Sequence, residues 1–126
     1  MSTARPASKL RETPALDRWP ELRPFVRDVA AYYGDRLQAV LLYGSRARGE
    51  ECEESDYDLA VLLPDLTDRF KEVTSLSNIA YPYLLDRNIF IQAMPLNPTR
   101  VAEPKQKDFF ARNIALDGIA LLGFKP

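Results

Sequence analysis

The chain has 126 residues, 46% of them apolar, which is enough for one domain with a single packed core. The net charge of −1 is not expected of a general nucleic-acid-binding protein, and the absence of histidine excludes histidine-based acid–base catalysis and zinc ligation. The lone Cys52 cannot form an internal disulfide, and no apolar run is long enough to span a membrane, so we expect a cytoplasmic protein.

The hydrophobic pattern predicts one α/β domain in which helices cover a central sheet. Residues 1–19 mix small, polar and charged residues without a period, which predicts a mobile tail before a domain at residues 20–126. Within the domain, alternating helices and strands indicate a small α/β sandwich. The predicted segments are a helix at 21–33, a strand at 37–43, a strand at 57–63, a helix at 66–84 that Pro82 kinks or breaks, a strand at 89–96, a helix at 109–117 and a strand at 119–122.

The segment between the first two strands carries the residues that indicate chemistry. The first strand runs directly into Gly44-Ser45, a small-residue turn that lets backbone N–H groups and a hydroxyl approach a phosphate. Asp56 and Asp58 follow at the start of the second strand, where residues two apart share a face. Paired carboxylates are ligands that Mg²⁺ takes up together with phosphate oxygens. The pattern therefore predicts a site for a nucleotide and a divalent metal.

Each of these residues also has a purely structural interpretation. Ser45 is a favoured helix N-cap, and two aspartates at a strand end also occur on solvated sheet edges. Arg46 and Arg48 are surface charges unless a triphosphate lies nearby, in which case a guanidinium binds phosphate bidentately. The acidic segment 50–54 is interpreted as a solvated loop, with a docking surface for a basic partner as the alternative.

The run Gly44-Ser45-x-Ala47-Arg48-Gly49, followed after five residues by Ser55-Asp56-x-Asp58-Leu59, resembles the signature of the minimal nucleotidyltransferases of the polymerase β superfamily. The resemblance covers residues 21–122. It implies a polymerase β-like fold with a mixed sheet, and ATP held through Gly44, Ser45 and Arg48. It also implies that Asp56 and Asp58 are catalytic and bind Mg²⁺ or Mn²⁺. Many members are antitoxins paired with helical HEPN-domain toxins, so a HEPN toxin is the implied partner in a hetero-oligomer, with a homo-oligomer as the alternative.

The sequence departs from this family pattern at one position. The resemblance implies a third acidic residue on the strand at 89–96, where Gln92 is the only polar residue of the strand interior. An amide oxygen can bind a metal but carries no charge and cannot act as a base. Asp86, before the strand, is a less favoured substitute. The loss of this carboxylate puts the rate of catalysis in question.

The expected function is a metal-dependent transfer of a nucleoside monophosphate, AMP from ATP, to a hydroxyl of a HEPN toxin. One alternative is a weakened or inactive nucleotide-binding module that inhibits its partner by contact alone. Another is a stand-alone transferase acting on small molecules. A P-loop is excluded because no Gly-Lys-Ser or Gly-Lys-Thr follows the turn, and a dinucleotide-binding fold because no Gly-x-Gly-x-x-Gly follows a strand.

Overall fold

A computed structural model describes residues 10–50 and 56–124 of the chain. One mixed sheet of five strands forms its centre, in the spatial order β1-β5-β2-β3-β4. All neighbouring strands are antiparallel except β3 and β4, which are parallel. The strands are β1 Leu10–Glu12, β2 Ala39–Tyr43, β3 Tyr57–Leu62, β4 Ile91–Leu96 and β5 Ile119–Phe124. The predicted α/β class with a central mixed sheet is confirmed.

In the part of the chain that the structure describes, five α-helices accompany the sheet, together with short 3₁₀ segments at Pro14–Arg18, Pro20–Leu22 and Gly34–Arg36. The α-helices are α1 Arg23–Tyr33, α2 Ser45–Arg48, α3 Arg69–Arg87, α4 Pro98–Ala102 and α5 Phe109–Asp117. Asp68 caps α3 by accepting a hydrogen bond from the Lys71 amide, and Asp108 caps α5 through the Ala111 amide. Within the described residues, no helix combines the length and the apolar character needed to cross a bilayer.

The alternation of side chains along the strands divides the core into two layers. On one face, Val40, Leu42, Leu59 and Val61 belong to the main core cluster, which also contains apolar residues of α1 and α3. On the other face, Ala60 and Leu62 form a smaller cluster with Ile114 of α5. The central strands therefore contribute apolar residues to a cluster on each face of the sheet.

The structure differs from the sequence-based prediction at the N-terminal segment. Residues 10–19 were assigned to a mobile tail, but β1 pairs with β5, and Leu16 and Trp19 are buried in the main core. Thr13 adds a backbone hydrogen bond of 3.0 Å from its amide to the Leu121 carbonyl. Pairing with the last strand stabilises this segment, although its own sequence carries no periodic signal. Residues 1–9 lie outside the described residues.

Of the two effects predicted for Pro82, a kink or a break of its helix, the break does not occur. It lies inside α3, which is a single helix from Arg69 to Arg87 and ends at Asn88 in the left-handed conformation. The N–H that proline lacks would bond to the carbonyl of Asn78, one turn earlier. Pro82 and Asn78 are both on the exposed side of the helix, where water can satisfy that carbonyl.

Candidate active site

The candidate site lies where β2 ends and β3 begins. Tyr43, the last residue of β2, is the register partner of Asp58 on β3, and Asp58 is in turn the register partner of Gln92 on β4. Residues in register on neighbouring strands project to the same face of a sheet. Tyr43, Asp58 and Gln92 therefore lie side by side on the face that α4 and α5 cover farther along the sheet.

Gly44 connects β2 to this site and leaves room for the carboxylate of Asp58. Its φ of 81° and ψ of −158° lie in a region that only glycine readily occupies. A Cβ at this position would lie 2.6 Å from Asp58 Oδ2. Glycine at position 44 thus meets both a backbone and a steric requirement, and the turn brings the start of α2 against the carboxylate.

Asp56 completes a pair of carboxylates with Asp58. It precedes the first residue of β3, and its Oδ2 accepts a hydrogen bond of 3.3 Å from Gln92 Nε2. Burial raises the pKa of Asp58, the negative charge of Asp56 raises it further, and the positive charge of Arg48 opposes both effects. Two carboxylates that repel each other in this way are suited to share a cation.

Gln92 stands beside both aspartates, at the position where the family resemblance implies a third carboxylate. Its amide is exposed and donates to Asp56 in this arrangement. Asp86, the less favoured substitute, lies within α3 and precedes β4. In the ranges 10–50 and 56–124, no cluster of three or more acidic, cysteine or histidine residues is placed to hold a metal.

Ser45 and Arg48 lie on α2, which follows directly from Gly44. Gly44 occupies the N-cap position and Ser45 is the first helical residue, so the interpretation of Ser45 as the N-cap is wrong. Arg48 is half exposed and forms two ion pairs of 2.9 Å, from Nε to Glu50 and from Nη1 to Asp117. The contact with Asp117 was not foreseen in the sequence, because the two residues are 69 positions apart.

Arg46 and Tyr57, two further residues of this segment, contact each other. Tyr57 lies between the two aspartates in sequence and is buried in the main core. The guanidinium of Arg46 lies 3.8 Å from the centre of the Tyr57 ring, a cation–π contact. Of the acidic segment 50–54, the structure describes only Glu50. Ser55 and Cys52 also lie outside the described residues.

Tyr43 is a residue of the site that the sequence analysis did not single out. Its ring packs edge-on against Phe110 of α5, with centroids 5.7 Å apart. Burial, with a further effect from the charge of Asp58, raises the pKa of Tyr43 to about 12. Its hydroxyl is therefore protonated at neutral pH. The signal available from sequence was its position directly before Gly44.

Comparison with known proteins identifies the class to which this fold and site belong. Residues 28–122 match the family model for polymerase β nucleotidyltransferases, a range that runs from α1 to β5. The chain belongs to this nucleotidyltransferase family, and it is an enzyme of the transferase class. The family expected from the Gly-Ser turn and the Asp-x-Asp pair is thus confirmed.

Three similar proteins illustrate the relationship. A predicted protein adenylyltransferase of Methanocaldococcus jannaschii, MJ0141, is 36% identical over 70 residues, which cover 56% of this chain and 70% of the relative. A predicted nucleotidyltransferase from Sulfolobus solfataricus has a TM-score of 0.57 at 19% identity, covering 95% of this chain and 89% of that one. A toxin–antitoxin structure with AMP-PNP has a TM-score of 0.54 at 18% identity, covering 81% and 73%. These two solved structures share their fold with this chain.

Proposed function

We propose that this chain transfers AMP from ATP to a hydroxyl group of a partner protein, and that it is the antitoxin of a HEPN-type toxin. The observation that carries the proposal is the convergence of Gly44, Asp56 and Asp58 at one point of the sheet. A glycine turn that leaves space beside paired carboxylates is suited to a triphosphate and its metal ion.

The donor set at the site fits a divalent metal ion. Asp56 and Asp58 offer carboxylate oxygens on one face, and their mutual repulsion is relieved by a shared cation. These two residues would hold Mg²⁺ or Mn²⁺. Bound there with ATP, such an ion would neutralise charge on the phosphates and polarise the phosphorus–oxygen bonds.

The protein side chains then bind and orient the nucleotide. The space left by Gly44 admits phosphate oxygens beside the turn, and the Ser45 hydroxyl is a donor for them. Arg48, three residues after Ser45, offsets negative charge of the phosphates. In the transfer, the acceptor hydroxyl loses its proton to solvent and its oxygen forms a bond to the α-phosphorus, while the bond to the bridging oxygen breaks and pyrophosphate leaves.

The identity of the acceptor is supported by the relatives rather than by the site. The Methanocaldococcus jannaschii relative is named as a protein adenylyltransferase, which favours a protein acceptor and AMP as the transferred group. Two neighbours by fold are toxin–antitoxin complexes, one with AMP-PNP and one described as MntA–HpeT, the latter with a TM-score of 0.56 at 18% identity over 84% of this chain and 73% of that one. A small helical HEPN-type toxin is therefore the partner we propose.

The proposal is tested by incubating the chain with labelled ATP, Mg²⁺ and a co-expressed HEPN-type protein, and by measuring the intact mass of both proteins. We expect the partner to gain the mass of one or more AMP groups and to lose ribonuclease activity. Asp56→Asn and Asp58→Asn, which preserve shape but remove charge, should abolish the gain. Label transfer that persists in both variants, or no transfer to any partner hydroxyl, contradicts the proposal.

Gln92 favours one alternative, in which the chain binds a nucleotide and inhibits its partner by contact alone. An amide at this position contributes neither charge nor a base, so only two carboxylates remain for metal-assisted transfer. The same mass measurement separates the two functions. A partner that is bound and inhibited without gaining mass identifies the binding module.

A further inference from the structure

Arg48 and Asp117 join two parts of the chain that are remote in sequence and adjacent in the sheet. The antiparallel register pairs Leu42 of β2 with Ile119 of β5. Continued two residues further, this register brings Asp117 level with Gly44. The end of α5 therefore reaches the phosphate side of the site, and Arg48 Nη1 donates to Asp117 Oδ2 at 2.9 Å.

The location of Asp117 is not explained by the stability of its own helix. It is the last residue of α5, a nine-residue helix with no basic residue in its last turn. A carboxylate at this end faces the negative pole of the helix dipole, which is unfavourable. The ion pair with a half-exposed arginine also contributes little to the stability of the fold.

The backbone at Asp117 is nevertheless held firmly. The Gly118 amide donates to the Ile114 carbonyl at 2.8 Å, and a Cβ on Gly118 would lie 2.5 Å from that same oxygen. The chain then enters β5 directly at Ile119. A carboxylate fixed between a helix end and a strand is a rigid acceptor for a flexible arginine.

Within residues 10–50 and 56–124, the two ion pairs of Arg48 leave part of its guanidinium available. These bonds use Nε and one N–H of Nη1, two of the five N–H donors of the group. Arg48 lies on α2, whose N-cap residue Gly44 is in close contact with the carboxylate of Asp58. The guanidinium is thus oriented within electrostatic reach of the carboxylate pair.

We propose that Asp117 is a positioning residue of the nucleotide site, which holds the Arg48 guanidinium ready to receive the triphosphate. This inference rests on the proposed function, because it assigns Arg48 to the phosphates. An arginine that is ordered before the ligand arrives loses less conformational freedom on binding. Asp117 acts through Arg48 and does not itself touch the nucleotide.

The test compares Asp117→Ala with the unaltered chain in calorimetric titrations with Mg-ATP and in thermal unfolding. We expect the Kd for Mg-ATP to rise about three- to tenfold, because the variant lacks the charge-assisted hydrogen bond that orients the Arg48 guanidinium. The melting temperature should stay the same or increase, because an unfavourable charge leaves the helix end. Asp65→Ala is the matched control, since Asp65 also pairs with an arginine but follows the opposite end of β3.

A double-mutant cycle tests whether Asp117 changes the affinity for Mg-ATP through Arg48. In an Arg48→Ala background, Asp117→Ala should no longer change the Kd, and Asp117→Glu should restore part of the affinity in the original background. Unchanged or tighter binding in Asp117→Ala overturns the inference alone, as does an effect that adds to that of Arg48→Ala. If the unaltered chain does not bind Mg-ATP, the proposed function fails and this inference fails with it.

Discussion

Gly44 and Asp58 are in such close contact that a Cβ on the glycine would lie 2.6 Å from the carboxylate oxygen Oδ2. The contact links the end of β2 to the start of β3 across one strand spacing. A substitution at position 44 therefore tests the site directly, because even the methyl group of alanine would displace the carboxylate.

Gly44→Ala should therefore lower stability and abolish binding of Mg-ATP. The backbone conformation alone costs about 1–3 kcal/mol for a residue other than glycine, and the clash with Asp58 adds to it. Gly49→Ala is the control, because Gly49 also has a positive φ of 74° but no atom of the described residues lies within 4 Å of its added Cβ. That variant should lose about 1 kcal/mol of stability and bind the nucleotide normally. Equal binding by the two variants would show that Gly44 serves only the turn.

Asp58→Asn should remove Mg²⁺-dependent nucleotide binding without lowering stability at neutral pH. Since burial and Asp56 raise the pKa of Asp58, its ionised form is disfavoured in the folded state. The carboxyl of Asp58 therefore binds its proton more tightly in the native state than in the unfolded chain. As a result, the free energy of unfolding falls as the pH rises above 3.8, the ordinary pKa of this group. Asparagine relieves this penalty.

Urea unfolding of both proteins across this pH range measures the effect. The variant should be the more stable protein at neutral pH, and the difference should disappear below pH 3.8, where Asp58 is protonated in both states. A variant that is less stable than the original at every pH would indicate that the carboxylate is a structural residue.

Gln92→Glu should make stability depend on divalent metal. Gln92 Nε2 donates to Asp56 Oδ2, so a glutamate here replaces an attraction by repulsion and lowers the melting temperature in the absence of metal. Added Mg²⁺ or Mn²⁺ should raise the melting temperature more in the variant than in the original chain, because a third carboxylate joins the pair. Gln38→Glu, at the opposite end of the sheet beside Leu62, is the control and should not respond to metal. An equal response of all three proteins would place Gln92 outside the metal site.

A buried cluster on the other face of the sheet should dominate the polar contribution to stability. Glu72 of α3 is 4% exposed and accepts hydrogen bonds from the Tyr33 hydroxyl at 3.0 Å and from Arg36 Nη2 at 2.7 Å. Glu72→Ala leaves both donors without this acceptor and should cost about 2–3 kcal/mol in urea unfolding. Asp65→Ala removes only the exposed partner of the same Arg36 and should cost less than about 1 kcal/mol. Similar losses for the two would argue against burial as the cause.

The spatial convergence of Gly44, Asp58 and Gln92 could be predicted from the sequence, because it depends on local order along the chain. Gly44 follows a strand and Asp58 lies within the next one, so a hairpin-like return suffices to bring them together. The position of Gln92 required only that β4 lie beside β3. The roles of these residues in metal and nucleotide binding remain proposals.

Contacts that depend on distant pairing could not be predicted in the same way. The Arg48–Asp117 pair requires β5 to lie beside β2, a neighbour relationship that no local pattern indicates. Strand β1 has three residues and no period, and it forms only because β5 offers an unpaired edge. Helix α4, which is absent from the segments predicted from sequence, follows Asn97, whose side chain caps it.

The pairing of β1 with β5 has a practical consequence for how the chain can be linked to other proteins. Leu10 is the register partner of Phe124, so both ends of the described chain leave from the same edge of the sheet. Because Val40 pairs with Leu122, the register places Phe124 level with Gln38, at the end of the sheet opposite Asp58. Fusion of a partner at either end would therefore hold it away from the carboxylate pair, and a short linker between the ends would allow new termini to be opened in a surface loop elsewhere.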